Sequence, residues 1–73
     1  MKTVDLQRRV TGARADELLS GLQGSVAPDE RVRWNESGHA RIDLGRERDD
    51  AREHVIARLA ELGDDWDEHV AIL

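Results

Sequence analysis

The feature that most constrains this chain is an approximate copy of itself. Displaced by 38 residues, "VDLQRRVTGAR" (4–14) falls on "IDLGRERDDAR" (42–52), and "DERV" (29–32) falls on "DEHV" (67–70). The identities are Asp5/Asp43, Leu6/Leu44, Arg8/Arg46, Ala13/Ala51, Arg14/Arg52, Asp29/Asp67, Glu30/Glu68 and Val32/Val70. A duplicated sequence is expected to lay down the same elements twice in the same order. The halves run over about 1–35 and 39–73, inside a single domain covering 1–73.

Each half reads strand–helix–strand. Val4, Leu6 and Val10 alternate with polar residues, and so do Ala40, Ile42 and Leu44, the period of a half-buried strand. Ala15, Leu18, Leu19 and Leu22 form one helical stripe, and Val55, Ile56, Leu59 and Leu62 form the other. Thr11 suits the first N-cap, and Asp50 followed by Glu53 is a capping-box signal for the second helix. Gly24 and Gly63 stand where left-handed C-terminal caps are expected. "RVRW" and "HVAIL" read as the closing strands, with "NESG" as a hairpin connection between the halves. The pattern predicts βαββαβ, an α+β ferredoxin-like sandwich with an internal pseudo-two-fold repeat. Its four antiparallel strands would lie in the order 4-1-3-2, with both helices on one face.

A chain of 73 residues buries little surface, and with no cysteine it has no disulfide or thiolate site to support it. Trp34 and Trp66 are the only aromatic residues, so the core is aliphatic. There is neither a signal-peptide pattern nor an apolar run of membrane-spanning length, so the expectation is a cytoplasmic protein with no membrane partner. Sixteen acids against eleven bases give a net charge of −5, which disfavours binding driven by general phosphate neutralisation.

In the predicted sheet the face away from the helices carries Thr3, Asp5, Gln7, Arg9, Arg31, Arg33, Asn35, His39, Arg41, Asp43, His69, Ala71 and Leu73. Arg8 has core-facing parity and is expected to emerge at the end of the sheet. "SGHARIDL" (37–44) resembles the third strand of RNA-recognition motif domains at Gly38, Ala40 and Ile42. It departs at the stacking positions, where His39, Arg41 and Leu44 stand in place of rings, and Asp5 replaces the ring of the first strand. Base stacking carries much of that family's affinity, so the resemblance implies shared architecture only. Arg31, Arg33 and Arg41 on adjacent strands would form a basic strip, which Asp5 and Asp43 could neutralise, Asp5 by a cross-strand pair with Arg41. A solvated sheet face accounts for the same residues.

His39, His54 and His69 do not suit a metal, because His54 falls on a helix and strand one separates the other two. Trp66, flanked by acids in "DDWDE", aligns with Pro28 and is expected to fold over the helix end, although it could also anchor a basic partner. Ser20, Ser25 and Ser37 have no evident base and orienting acid, so no catalytic residue is assigned and no cofactor is expected.

The expected function is that of a non-enzymatic interaction or regulatory module. Its binding face would comprise Asp5, Arg9, Arg31, Arg33, Arg41 and Asp43. Self-association into a homodimer would use the apolar margin of Ala71 and Leu73. The alternatives are an arginine-based binder of RNA or single-stranded DNA, and an acidic inhibitor that mimics nucleic acid through the carboxylates of the second helix.

Overall fold

A computed structural model describes residues 1–26 and 29–73. Strand β1 (Thr3–Arg8) leads into helix α1 (Ala13–Leu22), which tightens into a 3-10 turn over Gln23–Ser25. Strand β2 (His39–Asp43), helix α2 (Ala51–Leu62), the one-turn helix α3 (Trp66–His69) and strand β3 (Val70–Ile72) follow. Among the described residues the sheet has three antiparallel strands in the order β2-β1-β3. The protein is therefore a small, open α+β domain, and the predicted four-stranded ferredoxin-like sandwich is not formed.

Alternation along β1 and β2 sends Val4, Leu6, Ala40 and Ile42 under the helices, where all four are buried. The α1 stripe of Ala15, Leu18, Leu19 and Leu22 is likewise buried against them. From α2 come Ala51, Val55 and Leu59, and from β3 comes Val70. Trp34, Leu62, Trp66 and Ile72 pack partly exposed around this cluster. Each fully buried Leu, Ile or Val contributes about 1.5–3 kcal/mol by leaving water, so this aliphatic cluster is the main source of stability.

The missing strand is the segment Arg31–Trp34. Its first rung does form, since the Asn35 N–H donates to the His39 carbonyl at 2.9 Å. Continuing that register would set Arg33 directly opposite Arg41 on the open face, and like charges in a cross-strand pair are destabilising. The helix layer holds the segment instead. The Val32 N–H donates to Gln23 Oε1 at 3.0 Å, the Gln23 amide donates to the Glu30 carbonyl, and Trp34 Nε1 donates to the Ala15 carbonyl at 3.3 Å.

The internal repeat consequently has no clear structural counterpart. The second half ends in a paired strand and the first half does not. Several local expectations change with it. Strand β1 stops at Arg8, so Val10 lies beyond it and is 49% exposed. Gly12 rather than Thr11 occupies the N-cap position of α1, at φ 140°, a value that only glycine adopts readily. Asp50 precedes α2 but its side chain makes no cap, because Arg48 Nε and Nη2 claim the carboxylate. Neither Gly24 nor Gly63 is left-handed: Gly24 lies within the 3-10 turn and Gly63 is extended at φ 173°. Trp66 opens α3, half-buried against the core, whereas Pro28, its aligned position, lies outside the described residues.

Candidate functional site

The open face of the sheet is an internally paired polar surface. The β1–β2 register sets Asp5 opposite Arg41, Gln7 opposite His39 and Thr3 opposite Asp43. Arg41 Nε donates to Asp5 Oδ1 at 2.9 Å, and His39 Nε2 lies 3.4 Å from the same oxygen. The Arg41 hydrogen bond is the main reason that the Asp5 carboxyl is held below its ordinary range, with His39 adding to the effect and burial opposing it. Asp43 turns its carboxylate to the Gly45 N–H at 2.8 Å and so closes the strand end. Ser37, two residues before His39, donates its hydroxyl to Asn35 Oδ1 and does not join the His39–Asp5 pair.

The remaining arginines proposed for this face lie outside the paired strands. Arg9 is exposed just past β1, and its N–H donates to the His69 carbonyl. Arg31 and Arg33 belong to the unpaired segment, so the predicted strip of Arg31, Arg33 and Arg41 on neighbouring strands is not assembled. Arg41, the member on the sheet, is committed to Asp5.

The two sheet edges differ in chemistry. Bonds from the Leu44 N–H to the Lys2 carbonyl and from the Arg8 N–H to the Gly38 carbonyl fix the alternation, so Arg41 and Asp43 turn their backbone groups to the outer side of β2. That side is guarded. Asn35 takes both the N–H and the C=O of His39, and the flanking side chains are charged. On the other side, bonds to the His69 carbonyl and from the Leu73 N–H leave the Ile72 N–H and C=O facing away from β1. Residues Val70–Leu73 are all apolar, Leu73 is 59% exposed, and no charged side chain or proline interrupts the run.

A cleft of about 250 Å³ opens where the Arg31–Trp34 segment leaves the sheet. It is lined by Arg8 of β1, by Asp16, Leu19 and Ser20 of α1, and by Val32, Arg33 and Trp34 of the unpaired segment.

At the N-terminal end of α1 a clamp fixes the approach to β3. Arg14 Nη2 and Nε donate to Asp65 Oδ1 and Oδ2 at 2.8 and 3.0 Å, and Nη2 also reaches the Leu62 carbonyl at 3.3 Å. His69 Nε2 stands 3.4 Å from Asp65 Oδ2. The Arg14 hydrogen bonds hold the Asp65 carboxyl below its usual range, and the Arg14 guanidinium is correspondingly raised. A Cβ at Gly63 would lie 1.9 Å from Arg14 Nη2, which explains glycine at this position without any demand on backbone conformation.

Among the described residues no group of three His, Cys, Asp or Glu side chains is placed to hold a metal ion, and no helix is long and apolar enough to cross a membrane. Fold and surface together define a class: a small α+β domain with a self-neutralised sheet face, one guarded edge and one open edge. Comparison with protein-family models, curated proteins and solved structures returned no match.

Sequence patterning missed the cleft and the clamp. Arg8, the one charged residue at core-facing parity on β1, was the available signal for the cleft, together with Asp16 and Ser20 at helical i, i+4 spacing. Nothing local connects Arg14 to Asp65, which are 51 residues apart.

Proposed function

We propose that this protein is a non-enzymatic interaction module that acts by self-association, with the β3 edges of two copies pairing antiparallel across a two-fold axis. The observation that carries this reading is the contrast between edges: β3 presents unpaired backbone groups at Ile72 inside a run of apolar side chains, whereas β2 is capped and carries charged side chains. Soluble proteins usually blunt such an edge, and one left open is a template for another strand. A second copy is the self-complementary occupant, since it offers the same apolar run in the reverse direction. Pairing would join two sheets into one of six strands, with all helices on the same side. Ala71 and Leu73 would lie at this junction, and the paired Asp5–Arg41 face would remain solvated.

Three residues of strand make a small contact, so the dimer is expected to be weak, with a dissociation constant no tighter than about 1 μM. Two bodies of charge −5 repel one another, so added salt should strengthen the dimer. Light scattering behind size exclusion should give a mass approaching twice 8.2 kDa as concentration and salt rise. Ile72→Pro removes the outward N–H while leaving the bonds to β1 in place, and it should return the monomer. A mass of 8.2 kDa under all conditions, or a dimer indifferent to both Ile72→Pro and Leu73→Arg, would refute the reading.

A further inference from the structure

The cleft beside α1 brings three properties together. The first is uncommitted positive charge. Arg14, Arg41, Arg48 and Arg58 each pair with a carboxylate, but Arg8 and Arg33, which both line the cleft, join none of these pairs. The second is an aromatic wall. Trp34 is half-buried with its indole N–H already bound to the Ala15 carbonyl, so what it offers a ligand is ring surface. The third is polar selectivity, since the Ser20 hydroxyl and the Asp16 carboxylate share the α1 wall.

These groups discriminate between ligands. Two guanidinium forks supply parallel donors suited to a tetrahedral oxyanion, more than a single carboxylate can use. Asp16 repels a second anionic end but accepts hydrogen bonds from hydroxyls. Leu19, Val32 and Trp34 provide apolar contact for a ring. A volume of about 250 Å³ lies just under the usual range for small-molecule pockets, enough for a phosphate and one sugar ring. We propose that this cleft binds a small phosphate monoester bearing hydroxyl groups, with the phosphate held by Arg8 and Arg33 and the sugar lying between Asp16, Ser20 and Trp34. The cleft is separate from the β3 edge, so this inference stands or falls independently of self-association.

The same chemistry is carried by a free sugar phosphate and by the 5′-phosphate end of an oligonucleotide, and the test separates them. Ribose 5-phosphate, unphosphorylated ribose and a 5′-phosphorylated trinucleotide are titrated into the full chain, with the two indole N–H resonances followed by NMR. Ribose 5-phosphate should shift the Trp34 signal saturably, with a dissociation constant near or below about 1 mM, while Trp66 stays still. Ribose should do nothing. Tighter binding of the trinucleotide would assign the site to a nucleic-acid end, and equal or weaker binding to the free sugar phosphate. Arg8→Ala and Arg33→Ala should each weaken binding at least about tenfold, and Arg58→Ala on α2 should leave it unchanged. Arg33 is exposed and outside the sheet, so its variant keeps the test decisive should Arg8→Ala disturb β1. Absence of a saturable Trp34 shift for both phosphorylated probes would overturn the proposal. So would unchanged affinity in Arg33→Ala, or equal shifts at both indoles.

Discussion

The closing segments of the two halves, "RVRW" and "HVAIL", occupy equivalent places in the sequence and meet opposite fates. Residues 70–72 of the second pair with β1 and bury Val70 completely, whereas the first turns off the sheet after one rung and leans on α1. Hydrophobic alternation is present in both, so it does not decide between them. What differs is the company each keeps. HVAIL follows Asp65, which Arg14 grips with two hydrogen bonds, so the chain enters β3 from a fixed point. The aligned position in the first half is Ala27, so the sequence has no carboxylate there to match Arg52, the copy of Arg14. RVRW in turn would have to set Arg33 against Arg41, while Gln23 and Trp34 give it partners on the helix layer. The lesson is that a strand is specified by its neighbours' charges and by its anchor as much as by its own period.

The comparison can be broken most forcefully with a buried charge. Val70→Asp should cost more than about 3 kcal/mol and leave little folded protein, whereas Val32→Asp, at a half-buried position, should cost no more than about 1–2 kcal/mol. Urea unfolding monitored by circular dichroism measures both, and equal losses would mean that the unpaired segment supports the core as much as the strand does. Next in size is Trp34→Phe, which keeps a ring but deletes the donor to the Ala15 carbonyl. The expected loss is about 1 kcal/mol, with faster hydrogen exchange at the Val32 amide as the segment loosens.

Acid should then act unevenly on the two segments. The carboxyls of Asp5 and Asp65 are held down by Arg41 and Arg14, so the unfolded chain binds protons there more readily than the folded one. Their contribution is complete above the ordinary carboxylate value of about 3.9 and is lost as pH falls through the lower native values. Below that value the HVAIL side, which depends on Asp65, should lose exchange protection before the RVRW side, and simultaneous loss would deny the clamp its role. The smallest expected effect sharpens the contrast. Arg33→Thr removes the like-charge opposition at a change in stability within about 0.5 kcal/mol, and should let the segment add a rung to β2. Slower exchange of the outward Arg41 amide would report it, and an unchanged rate would show that Trp34 and Gln23 alone hold the segment away.

This division also explains what could be read from the sequence. The α1 stripe and the alternation of Val4, Leu6, Ala40 and Ile42 are local patterns whose burial follows from period alone. The fate of Arg31–Trp34, the end of β1 before Val10 and the uncapped start at Asp50 depend on partners distant in sequence or on competing side chains such as Arg48. The apparent repeat misled for the same reason, since identities at Asp5/Asp43 and Arg14/Arg52 place like residues in unlike surroundings. Asp5 meets Arg41 while Asp43 closes a turn, and Arg14 meets Asp65 while Arg52 is exposed. Among the residues assigned to a binding face, the positions of Asp5, Arg41 and Asp43 on β1 and β2 followed from parity. The displacement of Arg31 and Arg33, and with it the cleft, did not.

The central place of β1 has a kinetic consequence. Its partner across β2 is 36 residues away at Asp5–Arg41 (41 − 5), and its partner across β3 is 66 away at Leu6–Ile72 (72 − 6). Neither pairing can be reached through a hairpin, so each must close a long loop of chain before any ladder bond is gained. Helices α1 and α2 can form early from local sequence, while the sheet waits on encounters between distant segments. A chain organised this way should fold more slowly than a helical bundle of equal length. During that wait β1, with Val4 and Leu6 uncovered and both of its sides unpaired, would be the segment most exposed to mispairing with other chains.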